Sequence, residues 1–346
     1  MVCMIRSLSP RRFLRPVFAT VLILWQLWTA SFSFGEENSP RLFRIGTGGT
    51  TGVYYPIGII IAHGLTGWQS DEQSGVSGYI GVAQNSAGSV ENVRGVTSGE
   101  LEAGLVQADI AAWAYNGEHV FAGDDSARSL RAVASLYPEK FQIVTRKDAG
   151  IRRVHDLRGK HISVDEAGSG TLAVMRIVLE AYGMSESDFR PVYLKPVFTQ
   201  EKVVSGELDG FVMMAGAPME AVVQLQDVGV SLVPIPQAVA ARISARYPYL
   251  VAGKISAGVY AGIPETPTIE VHALLVVSAA MEDDLAYRVT AALWSEHTLA
   301  TLRAGHPLGK AITRKTALTG ISIPLHPGAK RYYTEHRNDF QTPRQP

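Results

Sequence analysis

Covalent or metal catalysis needs a base within reach of a nucleophile, or three ligands on one ion. The sequence offers neither at a recognisable spacing. It contains no GxSxG, HExxH or CxxC. The nine histidines never stand four apart; His155 and His161 are separated by the start of a strand, and His63 sits in an apolar helical stretch as a core or surface residue. Asp124-Asp125 and Glu282-Asp283-Asp284 fall in a loop and at a helix start, where solvated charge accounts for them. What remains is a set of small polar residues where strands give way to helices: Thr47, Gly48, Gly49 and Thr50, then Asn85 and Ser86, Gln107, and Ser169, Gly170 and Thr171. Hydroxyls, amides and bare N–H groups of this kind hold a carboxylate without transforming it. These loops carry no Arg or Lys, so the anion would rest on hydrogen bonds and helix dipoles, which suits a small ligand with one or two charges. The expectation is a binding site with no catalytic residue, cofactor or metal.

The elements that must position these residues begin with FRIGTGGTTGVYYPIGIIIA, Phe43 to Ala62. Leu42 to Ile45 is a short apolar strand, the glycines from Gly46 to Gly52 break regular structure, and Val53 onward is apolar at helical spacing with Pro56 in the first turn. A P-loop would need Lys and Ser/Thr after the last glycine, where Val53 and Tyr54 stand, and a dinucleotide fingerprint would need Gly in place of Thr51. Asp71 lies at the distance of a ribose-binding acid but precedes the next strand instead of ending it. Tyr54 and Tyr55 could close over a ligand, and one of them belongs to the core because adjacent helical positions point in different directions.

Further along, Ser77 to Ala83 reads as a strand, Ser89 as the N-cap of a helix with Glu91 in its first turn, and Ala103 to Val106 as a buried strand ending at Gln107. Ala108 to Tyr115 is helical. A second cycle follows: Phe141 to Thr145 and Lys160 to Val164 are strands, and Leu172 to Tyr182 is a helix stopped by Gly183. SGELDGFV at Ser205 echoes SGELEAGLV at Ser98, each after a helix and opening a strand. Two glycine loops before helices and two SGEL turns before strands predict two α/β lobes of similar build, with ligand groups gathered beyond the strand ends. Glu270 to Ser278 is a strand, Asp283 to Leu302 one helix, and Ile323 to Glu335 a proline-bounded turn and short helix.

At the N-terminus, Arg6, Arg11, Arg12 and Arg15 precede the apolar run Val17 to Trp28 and small residues before Glu36, the pattern of a cleaved secretory signal peptide over residues 1–35. Cys3 is the only cysteine and is lost with it, leaving an exported chain without disulfides. Without the four leader arginines, 28 basic residues face 32 acidic ones, which gives no basic surface for nucleic acid or anionic membrane.

From about Arg41 to the C-terminus the chain resembles the TAXI solute-binding proteins of tripartite ATP-independent periplasmic (TRAP) transporters. The markers, in order, are IGTGGTTGVYYP, GSVENVRGVTSGELEAGLVQAD, SLYPE, DLRGKHISVDEAGSGT, SGELDGFVMMAGAP and PLHPGAKRYYTE. The resemblance implies a two-lobed type II periplasmic-binding fold of the α/β class with a cleft between lobes. It also implies a periplasmic, monomeric receptor without enzymatic activity, a glutamate, glutamine or C4–C5 carboxylate ligand, and delivery to TRAP membrane permease subunits driven by an ion gradient. It carries the ligand site onto the Gly46 to Gly52 loop, Asn85, Ser86, Gln107 and Ser169 to Thr171, and adds Gly216 and Ala217 of SGELDGFVMMAGAP. Thr51, Asn85-Ser86 and Ala108 depart from the family's usual glycine, Ser-Thr and serine. The expected lobes are 36–136 with 272–346, and 137–271, crossing near Ser135 to Glu139 and Thr266 to Ala273. An ATP-driven importer or a sensor kinase as partner, and an exported enzyme acting on a phosphate ester, are the alternatives.

Overall fold

The computed structural model describes residues 39–67 and 75–340; the expected signal peptide, Cys3 and Asp71 lie outside them. Strand β1 (Arg41–Gly46) feeds the glycine loop and helix α1 (Tyr54–Leu65), and a two-residue strand pair, β2 (Thr66–Gly67) and β3 (Val76–Ser77), leads to β4 (Tyr79–Gln84). The strand expected over Ser77 to Ala83 is therefore broken at Gly78, whose φ of +80° turns the chain. Helix α2 (Ser89–Ser98), strand β5 (Ala103–Gln107) and helix α3 (Ala108–Asn116) complete the first cycle. Ser89 is the first helical residue and Gly88 the cap, one position from the sequence expectation.

Strand β6 (Leu130–Arg146) spans 17 residues, far longer than the expected Phe141 to Thr145, and runs straight through the anticipated crossing at Ser135 to Glu139. Pro138 lies inside it, opposite His272, beside a register shift that absorbs the donor a proline lacks. The second cycle is β7 (His161–Ser163), α4 (Gly170–Ala181), β8 (Arg190–Val192), α5 (Pro196–Ser205) and β9 (Gly210–Ala215). The region that read as irregular holds α6 (Glu220–Val223), β10 (Val230–Leu232), α7 (Gln237–Arg246) and β11 (Val251–Ile255) before the second long strand, β12 (Thr266–Ser278). The helix expected over Asp283 to Leu302 is two, α8 (Asp283–Leu293) and α9 (Glu296–Gly305). The break follows from Trp294, fully buried with its indole N–H donating to Tyr333, and from Ser295, whose hydroxyl caps α9 at Thr298 N. Helix α10 (Pro327–Glu335) is the last α-helix of the described residues, followed by a 3-10 turn over Arg337–Phe340.

One mixed sheet carries these elements in the order β4-β1-β5-β12-β6-β9-β7-β8, with β10 on β6 and β11 on β12. β4, β1 and β5 are parallel to one another, as are β8, β7 and β9, while β12 and β6 run antiparallel to their neighbours and to each other. The order therefore reads the same from both edges, β4-β1-β5-β12 and β8-β7-β9-β6, which is the mirrored build the SGEL echo predicts. The echo itself is structural. α2 and α5 end at Gly99 and Gly206, with φ of +82° and +81°, and Leu101 and Leu208 each bond back to the carbonyl six residues earlier. β5 and β9 are buried along their whole length because helices cover both faces, so they read as unbroken apolar runs. The result is an α/β fold of the type II binding-protein class.

Candidate functional site

Both parallel triplets end at the same cleft. Its empty space is about 450 Å³ including the mouth, lined by Gly48, Gly49, Gly52, Val53 and Tyr54 from the glycine loop and α1, Ala87 to Ser89 and Gln107 from the next two strand ends, and Ser169 and Thr171 from the start of α4. Three helices, α1, α2 and α4, thus aim their N-termini at one space, each adding about half a positive charge. No lysine or arginine is among its lining residues.

The loop is held from behind. Asn92, fully buried on α2, donates to the carbonyls of Thr47 (2.6 Å) and Leu105 (2.8 Å), and its Oδ1 lies 2.7 Å from the Ser86 hydroxyl. Ser86 also reaches the Thr47 carbonyl, and Asn85 Nδ2 donates to the Gly48 carbonyl at 2.6 Å. Gly46 is glycine because a Cβ there would stand 2.5 Å from Asn92 Oδ1. Across the cleft, the Ser169 hydroxyl caps α4 at Leu172 N, and Thr171 Oγ1 accepts from Met214 N, fixing Met213 to Ala215 of β9 as the opposite wall. The Gln107 amide lies on Gly170, where a Cβ would approach it to 2.5 Å.

Of the residues expected at the site, the structure brings together Gly48, Gly49, Tyr54, Gln107, Ser169 and Thr171. Tyr54, not Tyr55, faces the cleft. Thr47, Asn85 and Ser86 brace the glycine loop, Thr50 is exposed, Gly170 lies against Gln107, and Gly216 and Ala217 sit just beyond the lining residue Ala215, with Gly216 packed on Leu308 and Tyr137.

Sequence reasoning missed two acids in the wall. Glu139 of β6 is 1% exposed and accepts the Tyr54 hydroxyl at 2.8 Å; burial, reinforced by the Asp109 charge, pushes its carboxyl well above the usual range. Asp165 follows β7 with φ of +67°; burial raises it to about 7 against the bond its carboxylate accepts from Glu166 N. Asp109 in the first turn of α3 is fully buried and raised by that burial to about 7. Glu139 sits in YPEKFQ, which locally reads as a solvated turn; the usable signal was an acid within the alternating apolar run from Leu130 to Thr145.

The geometry describes a partly open cleft of mixed polar and apolar lining that can bind and orient a small solute. The chain belongs to the NMT1-like family, whose model matches residues 45–336. A solved structure from Bordetella bronchiseptica RB50 is similar at 16% identity over 88% of this chain and 86% of that one, with a TM-score of 0.52. The putative sulfonate ABC transporter periplasmic sulfonate-binding protein SsuA from Methylobacillus flagellatus KT matches at 13% identity over 86% of this chain and 87% of that one, TM-score 0.47. The periplasmic aliphatic sulphonate binding protein SsuA from Escherichia coli matches at 14% over 86% and 84%, TM-score 0.40. No helix among the described residues is long and apolar enough to cross a membrane.

Proposed function

We propose that this chain is a periplasmic receptor of the TAXI type, exported through a cleaved signal peptide. It captures a small organic acid or amino acid, of the glutamate, glutamine or C4–C5 carboxylate kind, and delivers it to a TRAP permease driven by an ion gradient. The observation that carries the reading is the convergence of three helix N-termini, with Gln107, Ser169 and Thr171, on one cleft that has no basic side chain among its lining residues. Bare N–H groups and dipoles there favour an anionic group. The six ordered sequence markers from IGTGGTTGVYYP to PLHPGAKRYYTE support the TAXI assignment and, with it, the permease partner.

In this reading the lobes are 36–136 with 272–346, and 137–271, joined by β6 and β12, and a solute touching both stabilises the closed form only by its differential affinity for it. The test is thermal unfolding of the mature protein, denatured and refolded to strip carried-over ligand, against dicarboxylates, 2-oxo acids, amino acids, sugars and phosphate. Saturation at a hundredfold over Kd adds about 2.7 kcal/mol, a rise of several degrees. A response to carboxylate-bearing solutes is expected, with a smaller radius of gyration by small-angle scattering; a response to phosphate esters alone would refute the reading.

A further inference from the structure

Buried oxygens without a partner gather at and beside the cleft: Gln107 lines it, while Asp109 and Tyr137 are not among its lining residues. Among the described residues, Gln107 Oε1, both carboxyl oxygens of Asp109 and the Tyr137 hydroxyl are buried without a hydrogen-bond partner. Strand register places Gln107 and Tyr137 at one level of the sheet, with β12 between them. Gln107 ends β5 opposite Ala273 of β12, and on the far side of β12 the residues flanking Ala273 pair with Pro138 and Ser135, which sets Tyr137 level with Gln107. Asp109 lies two residues beyond Gln107, and Glu139 two beyond Tyr137, with its Oε2 taking the Tyr54 hydroxyl at 2.8 Å. Gln107 and Glu139 both face the cleft, and the Asp109 charge helps raise Glu139, with no basic side chain among the groups that shift either.

Buried oxygens left unpaired cost about 1–3 kcal/mol each, and two carboxyls without a counter-charge cost more. A site this consistent in donor type selects its occupant: carboxylate, amide and phenol oxygens suit a hard positive charge. Among the described residues no cluster of three or more His, Cys, Asp or Glu side chains could hold a metal, so the two carboxyls here fall short of the charged set a divalent ion takes. We propose that Gln107, Asp109, Tyr137 and Glu139 bind one monovalent positive group, supplied either as a free alkali cation beneath the solute or as the ammonium of the solute itself. The second source rests on the receptor reading above; the first does not.

The experiment is a set of melts of the stripped protein in choline, sodium, potassium and ammonium chloride at one ionic strength, then titration with L-glutamate and with glutarate, which lacks the amine. A free-cation site raises Tm in sodium or potassium over choline. A solute-ammonium site shows no alkali preference but binds L-glutamate over glutarate. Either response should fall by roughly thirtyfold or more in affinity in Asp109→Asn and in Glu139→Gln, the loss expected when one member of a buried charge pair is removed; two variants guard against one that misfolds. The proposal is overturned if no chloride salt and no amine is preferred, or if both variants keep the preference. Failure of the receptor reading looks different: neither L-glutamate nor glutarate binds, whatever the salts do.

Discussion

Replacing Asp109 by asparagine should stabilise the empty protein at neutral pH, against the usual cost of changing a fully buried residue. Burial lifts the Asp109 carboxyl from 3.8 to about 7, and its two oxygens have no hydrogen-bond partner among the described residues. A rise of roughly three pH units corresponds to about 4 kcal/mol. The folded protein holds a proton that the unfolded chain gives up above pH 4, so this stability is complete below the unfolded pKa and declines as pH rises to about 7. Above that, the fold carries a buried carboxylate at the full cost. Asparagine has the same shape and never ionises, although its amide remains short of partners, which returns about 1–3 kcal/mol. The expected gain at pH 8 is therefore about 1–3 kcal/mol, turning into a loss of about 1–3 kcal/mol at pH 4, where only the missing partners count. Equilibrium urea unfolding at both pH values, in choline salts and without solute, measures it as a shift in midpoint at constant m. Equal stability of wild type and Asp109→Asn at pH 8, or the same difference at both pH values, would refute the reasoning.

Three further expectations follow from single contacts. Gly170→Ala places a methyl 2.5 Å from the Gln107 amide; displacing that amide should weaken solute binding by about 1–3 kcal/mol in calorimetric titration while leaving the far-UV spectrum unchanged. Asn92→Ala removes the post under the glycine loop and leaves the Thr47 and Leu105 carbonyls short of a donor, so urea unfolding should show a loss of roughly 2–4 kcal/mol. Tyr54→Phe deprives Glu139 of its only hydroxyl donor among the described residues, and the midpoint of any pH-dependent solute binding should move upward, because the charged carboxylate loses the bond that favoured it.

Local signals were legible because they need no partner to be read. The SGEL turns and the Gly183 stop each state a left-handed backbone conformation that few other residues adopt, the glycine loop is a run nearly free of side chains, and the structure has strand, loop and helix where they say. The mirrored sheet followed from those turns. Long-range decisions were not legible. Whether Leu130 to Lys140 extends Phe141 to Thr145 depends on β12 lying alongside, and Pro138 argued locally against it. The roles of Asn85 and Ser86 illustrate the same limit: polar residues after a strand are easy to find, but turning them onto the Gly48 and Thr47 carbonyls requires the loop from another strand. Glu139, Asp109 and Asp165 were missed because an acid is ordinarily solvated, and only packing removes the water.

The two halves of the sheet are alike in connection, and the contacts between them bear on how the cleft of the proposed receptor would close. The loops after β4 and β7 meet across the mouth: Val90 N of α2 donates to the Gly168 carbonyl at 3.2 Å, and a Cβ on Gly168 would touch Ala87 at 3.3 Å. This contact is made of small residues and one backbone bond, worth on the order of 1 kcal/mol. In the proposed two-lobed receptor such a contact would be too weak to hold the lobes together on its own. The strongly interacting groups lie deeper and come from both sides, Gln107 and Tyr54 from one, Thr171 and Asp165 from the other, with Glu139 on the strand that joins them. In the proposed receptor, the solute must therefore supply most of the closing energy by satisfying that deeper set. A solute that reaches only one wall would bind without closing the cleft.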